Sequence, residues 1–233
     1  FTKPTSTTPA LLTFDEVTTF FHEFGHALHG LLSDVKYKSL AGTSVSRDFV
    51  ELPSQVMENW AADPVVLKMY AKHYKTEAVI PDELIEKLEK AATFGQGFAT
   101  TEYLASSLLD MDYHSITAPI SGKATDYEAN AMKKYGLTSA ITPRHSSTHF
   151  SHVFSGGYSA GYYSYIWSGV LDTDAFDQFK KTDLFSQEKA KSFRNNILSK
   201  GGTEDPMVLY KRFRGSEPSI EPLLKKRGLD KKS

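Results

Sequence analysis

Apolar positions recur at intervals of three and four along most of this 233-residue chain, and no segment shows sustained alternation of apolar and polar residues. The first run is opened by Thr13-x-x-Glu16, a capping-box pattern, which predicts a helix from about Phe14 to about Leu32. Residues 36–47 read as a polar loop. A second helix is predicted over 48–62, kinked or started late by Pro53, because proline removes a ladder hydrogen bond. Pro64 opens a third helix to about Tyr74, and Pro81-Asp82-Glu83 a fourth to about Thr93. Beyond Gly95 and Gly97, a long helix over about 98–117 carries Tyr103, Leu104, Leu108 and Met111 on one stripe. A second capping-box pattern, Thr125-x-x-Glu128, precedes a short helix ending near Gly136, and residues 138–148 read as a loop. The glycine-rich stretch Ser155–Gly161 leads into a helix to about Phe179, with further helices at 186–199 and 204–213. The expected fold is therefore mainly α with little or no sheet, without internal repeats, and with Ser115–Lys123 as the one candidate linker.

Composition narrows the classes of function. With 40% apolar and 24% charged residues the chain reads as an ordinary globular protein, long enough to bury a core. A net charge of −1 argues against nucleic acid or a membrane surface as partner. The basic residues Lys225, Lys226, Arg227, Lys231 and Lys232 read as a solvated tail, and no apolar run is long enough to span a bilayer. There is no cysteine, which excludes disulfides, thiolate metal sites and a cysteine nucleophile. Any metal must be held by His, Asp or Glu. Such a sequence fits a reducing compartment, so the cytoplasm is the expected location and the periplasm the alternative. The start at Phe1-Thr2-Lys3-Pro4, with neither initiator methionine nor signal peptide, reads as the start of a piece of a longer protein.

The chemistry concentrates in His22-Glu23-Phe24-Gly25-His26, an H-E-x-x-H inside the first predicted helix. Residues i and i+4 of a helix lie on one face, so both imidazoles can converge on one ion. Glu23 then reaches a water at that ion without taking a coordination position, which is the layout of a zinc peptidase with the glutamate as general base. Catalytic zinc usually has a third protein ligand. No further His follows at a suitable spacing, and Glu51 on the next predicted helix is the best candidate. Glu58, seven residues on and on the same helix face, is the competing ligand; with Glu51 preferred, it would orient a ligating histidine or stand as a solvated carboxylate.

His22–Gly30 (HEFGHALHG), followed by Phe49-Val50-Glu51-x-Pro53-Ser54-Gln55 with 29 residues from His22 to Glu51, resembles the thimet oligopeptidase, neurolysin and peptidyl-dipeptidase family. The run His152-x-x-x-Gly156-Gly157-Tyr158-x-x-x-Tyr162-Tyr163-x-Tyr165 is similar to that family's tyrosine-and-glycine segment. Asp48-Phe49-Val50-Glu51, Leu108-Leu109-Asp110-Met111 and Ala160-Gly161-Tyr162-Tyr163 look most like its peptidyl-dipeptidase (dipeptidyl carboxypeptidase) branch. The likeness runs from Thr13 to Gly228, and Lys226-Arg227-Gly228-Leu229 looks like a native C-terminus. It implies a zincin-type helical catalytic region, residues 1–233, belonging to the C-terminal part of a longer protein whose N-terminal half forms the opposite wall of a substrate channel. It implies one zinc ion held by His22, His26 and Glu51, with Glu23 catalytic. His152, Tyr158 and Tyr165 would meet substrate or transition state, and Gly156, Gly157 and Tyr162 would line the substrate. The implied activity is hydrolysis of oligopeptides with release of C-terminal dipeptides, by a monomer. An endo-acting oligopeptidase and a peptide-binding module with a structural zinc are the alternatives.

The residues of the second segment suit that chemistry on their own account. Tyrosine hydroxyls and histidine N–H groups are neutral donors for an oxyanion, and paired glycines let a peptide approach the backbone. Yet Tyr158, Tyr162 and Tyr165 also follow helical spacing, which is equally the pattern of packing. Arg144 is a loop cation that could meet a substrate carboxylate or simply stay solvated. His29, three residues past His26, reads as a residue that caps or packs near the site, and His73, His114, His145 and His149 match no ligand spacing.

Overall fold

The computed structural model describes residues 1–230. Among these the fold is mainly helical, with one isolated antiparallel bridge, Lys72 to Val79, and no sheet. Twelve α-helices follow in order: α1 Phe14–Leu31, α2 Arg47–Val50, α3 Leu52–Ala62, α4 Pro64–Tyr70, α5 Asp82–Ala92, α6 Gln96–Ser115, α7 Ala124–Lys134, α8 Ser151–Phe154, α9 Ser164–Thr182, α10 Gln187–Phe193, α11 Pro206–Arg214 and α12 Glu221–Lys226. A π-helical turn, Arg194–Leu198, continues α10.

α1 starts where its capping box predicts. The Thr13 hydroxyl accepts from Glu16 N–H, and the Glu16 carboxylate accepts from Thr13 N–H at 2.8 Å. The helix expected over 48–62 is instead two pieces. Pro53 has no N–H for the ladder, and the chain turns at Glu51 before re-entering a helix with proline in its first turn. The break puts Glu51 at a junction, held by Ser54, whose hydroxyl donates to both the Glu51 carbonyl and Oε2 at 2.9 Å.

The main core lies where α3 and α9 cross, with α1 and α10–α11 closing it. Phe49, Leu52, Val56, Leu171, Ala175, Ile197, Leu209 and Tyr210 are its most buried members. A polar chain runs through its edge: Asn59 Nδ2 donates to the buried Asp172 at 2.8 Å, and Lys226 Nζ donates to Asn59 Oδ1 at 2.8 Å. Together these tie α3, α9 and α12. The C-terminal basic segment is thus only partly the expected solvated tail: it forms α12, Lys226 reaches Asn59, and Arg227 is half-buried, while Lys231 and Lys232 lie outside the described residues.

Two further expectations change. Thr125 and Glu128 form no capping box, because α7 already begins at Ala124 and Glu128 accepts instead from the N–H and hydroxyl of Ser147, both at 2.6 Å. On α6 the Leu104, Leu108 and Met111 stripe is exposed, and the buried face is Ala105, Ser106, Leu109 and Asp110. No helix among the described residues is long and apolar enough to cross a membrane.

α1 and α3 approach too closely for a side chain at their crossing. A Cβ on Gly25 would stand 2.3 Å from Pro53 O and 2.5 Å from the Ser54 Cα. Gly25→Ala is therefore expected to force the helices apart, costing about 1–3 kcal/mol of stability by overpacking. Zinc affinity should fall with it, because the two helices carry opposite sides of the site. Thermal unfolding and zinc titration of the variant check both effects.

Candidate metal centre

The i, i+4 spacing on α1 brings the imidazoles of His22 and His26 to 4.9 Å between ring centres. The turn before α3 brings Glu51 onto the same point. Its Oε2 lies 3.3 Å from His22 Nε2 and 3.2 Å from His26 Nε2. One donor atom from each of the three lies within 4.8 Å of the others. Donors about 2.0–2.1 Å from a tetrahedral zinc stand about 3.3 Å apart, so this donor set fits the ion in both spacing and type. Glu51 is 3% exposed, a burial a carboxylate tolerates when paired or ligating.

Glu58 falls behind the histidine. Its Oε1 pairs with His22 Nδ1 at 2.7 Å, which leaves Nε2 directed at the site. Glu23, one residue along from His22, is exposed and forms no ion pair among the described residues. His29, three residues past His26, is fully buried with neither ring nitrogen partnered. Burial, with a smaller effect from His26, lowers its pKa to about 4 and keeps it neutral.

The tyrosine-and-glycine segment lies against this cluster. Tyr158 donates its hydroxyl to Glu51 Oε1 at 2.5 Å. Tyr165 stacks on Tyr158 with ring centres 5.3 Å apart and planes within 13°. Burial, together with Glu51 for Tyr158 and with Tyr158 for Tyr165, raises both phenols above their ordinary pKa, so both stay protonated donors at neutral pH. The His152 ring is 6.3 Å from that of Tyr158, and its Nδ1 is buried without a partner. Gly156 and Gly157 are exposed, Gly157 with φ +81°. The Tyr162 ring lies 5.5 Å from that of Tyr165 and 5.6 Å from that of His152, on their buried side. It is 3% exposed and packs with Phe150 and Val153, because the helical spacing that aligned the three tyrosines is interrupted by the turns of 155–163.

Four neighbours are given no role by the sequence. The Arg47 guanidinium lies 4.6 Å over the Tyr158 ring. Gln55 Nε2 donates to the Tyr165 carbonyl at 3.2 Å. His145 stacks on Phe150 and lies 4.7 Å from His152; burial, then His152 and Arg144, lowers its pKa. Asp110 holds the backbone of the tyrosine segment. Only the Pro-Ser-Gln and Leu-Leu-Asp-Met runs pointed toward two of these, and neither run says what its side chains touch.

In the metal-free protein His22 sits between two carboxylates. Burial opposes its charge, but Glu51 and Glu58 outweigh this and raise its pKa to about 10. Burial likewise opposes ionisation of Glu51, yet His22, His26 and Tyr158 hold its carboxyl well below the usual range. A ligating imidazole must give up its proton. His22 therefore carries a proton across pH 7–9, and zinc loading there should release about one proton per ion from it. Zinc affinity should rise with pH through that window and level off near His22's pKa of about 10. Calorimetric zinc titrations in buffers of differing protonation enthalpy measure the released proton directly.

The family model of Peptidase family M3 matches residues 1–229. The chain is 43% identical over 232 residues to the dipeptidyl carboxypeptidase of Escherichia coli, covering 99% of this chain and 34% of that protein. It is 41% identical over 231 residues to oligopeptidase A of Escherichia coli, covering 98% of this chain and 34% of the relative. It is 40% identical over 234 residues to the organellar oligopeptidase A of Arabidopsis thaliana, covering 98% of this chain and 30% of that protein. The chain thus spans about a third of the length of these curated relatives. With the family model matched almost end to end, and its H-E-x-x-H helix facing a buried glutamate, the chain belongs to Peptidase family M3.

Proposed function

We propose that this chain carries the zinc centre and catalytic groups of a peptidase that hydrolyses oligopeptides and releases C-terminal dipeptides. The observation that carries the reading is the convergence of His22, His26 and Glu51 beside Glu23, unpaired among the described residues, and a protonated Tyr158. His22, His26 and Glu51 would hold a zinc ion, which when bound would supply Lewis acidity and lower the pKa of a water. Glu23 takes the proton of the attacking water and later delivers it to the leaving amine nitrogen. The Tyr158 hydroxyl, with Tyr165 stacked against it, turns from Glu51 to the carbonyl oxygen as negative charge develops there. His152 supplies a further donor from the same wall, and the exposed Gly156-Gly157 backbone receives the peptide.

Dipeptide release requires a cation for the substrate's free carboxylate. Arg47 and Arg144, both exposed and both bordering the tyrosine and histidine cluster, supply that charge. The opposite wall of the substrate channel belongs to the N-terminal half of the full protein, which works as a monomer in the cytoplasm. Endo-cleavage is the second reading, favoured by the nearly equal identity to a relative named oligopeptidase A.

Glu23→Gln in the full natural protein should retain one zinc and lose about 10²–10⁴-fold in kcat. Undiminished turnover with zinc bound would remove Glu23 as the base. Mass spectrometry of products separates exo- from endo-action. Successive C-terminal dipeptides, and no cleavage once the C-terminus is amidated, are expected. Internal cuts in the amidated peptide would establish the endo-acting alternative.

A further inference from the structure

The Leu108-Leu109-Asp110-Met111 run contributes nothing to the metal centre directly, yet it contains a carboxylate that is 0% exposed. Asp110 sits on the buried face of α6 and accepts from both ends of one turn of the tyrosine segment. Ala160 N–H donates to Oδ1 and Tyr162 N–H to Oδ2, each at 2.9 Å, and His114 Nδ1 lies 2.8 Å from Oδ1. Between Tyr158 and Tyr162 the chain takes an unfavourable path, since Ala160 has φ +52°, the left-handed region that a residue with a Cβ avoids. Charge-assisted hydrogen bonds from a buried carboxylate are strong enough to hold that conformation. Seven residues earlier on the same face of α6, Tyr103 donates to the Tyr162 carbonyl at 2.5 Å and accepts from Ile166 N–H at 3.2 Å. The helix therefore grips residues 160–166 at two points, immediately beside Tyr158 and around Tyr165.

We infer that Asp110 is a positioning residue: it clamps the turn at Ala160 and thereby fixes the Tyr158 hydroxyl over the Glu51 side of the metal centre. This rests on the catalytic reading of Tyr158 above. The side-chain partners of Asp110 are Ala160, Tyr162 and His114, none of them a metal ligand, and its effect passes through the backbone from Ala160 to Tyr158, where Gly161 N–H closes the turn on the Tyr158 carbonyl at 2.8 Å.

The test is steady-state kinetics on the zinc-loaded full natural protein. Asn at this position keeps the shape but can accept from only one of the two N–H groups. Asp110→Asn is expected to lower kcat by about 10- to 100-fold, leave KM within about 2-fold, and retain one zinc. Ala160→Gly in the same background should restore part of the lost kcat, because glycine takes this φ without strain. A general structural role would not give that rescue. In a Tyr158→Phe background, Asp110→Asn should add little, since both changes remove the same donor. If Asp110→Asn does not accumulate as folded protein, Ala160→Val disturbs the same turn with Asp110 intact and should show the same kcat loss and the same lack of additivity with Tyr158→Phe. Wild-type kcat in the Asp110→Asn or Ala160→Val variant, loss of zinc, or losses that multiply with Tyr158→Phe would each overturn the inference. Wild-type kcat in Tyr158→Phe alone would remove the catalytic reading on which it rests, and the two failures are thus distinguishable.

Discussion

Everything at the metal centre depends on how closely α1 can lie against α3. The two histidines ride on one helix, and the carboxylate that completes the donor set precedes the other. Their meeting at 3.2–3.3 Å requires a bare backbone on α1 where Pro53 and Ser54 press against it, and Gly25 provides it. The glycine in the middle of the H-E-x-x-H run is therefore a packing requirement, distinct from the chemistry of the residues around it. Pro53 serves the same end from the other side. By breaking the helix it leaves Glu51 at a junction, where Ser54 can hold one oxygen while Tyr158 holds the other.

Charge at the site is arranged so that a cation is needed. Glu51 is buried yet held ionised, and Glu58 adds a second carboxylate behind His22. In the metal-free protein a proton on His22 satisfies both. A divalent ion replaces that proton with a larger charge at the same point, and the surrounding hydrogen bonds need little rearrangement to accept it. The phenols opposite remain neutral for the complementary reason: burial beside a carboxylate disfavours the phenolate.

Local signals in the sequence translated well where the structure is local. The capping box at Thr13, the helical spacing of His22 and His26, and the helix break at Pro53 all correspond to interactions within a few residues. Glu51 and Glu58 were legible because their spacing on the following helix could be compared with a known pattern. The failures share one cause. Thr125-x-x-Glu128 looks like a cap, but Glu128 is taken by Ser147, nineteen residues on. Tyr162 matches its neighbours in spacing, yet its ring is buried against Phe150 as well as Tyr165, a contact that spacing does not reveal. Leu104, Leu108 and Met111 form a stripe whose exposure is set by which face of α6 the tyrosine segment occupies. Arg47, His145 and Asp110 act across loops, and periodicity carries no information about which loop lies over which helix.

The most direct measurement is anomalous diffraction at the zinc absorption edge from crystals of the zinc-loaded protein. One peak is expected about 2.0–2.2 Å from His22 Nε2, His26 Nε2 and the Glu51 carboxylate. Glu58 should remain on His22 Nδ1, off the metal. A peak ligated by Glu58 in place of Glu51, or no peak at this cluster in protein that retains zinc, would contradict the assignment of the centre.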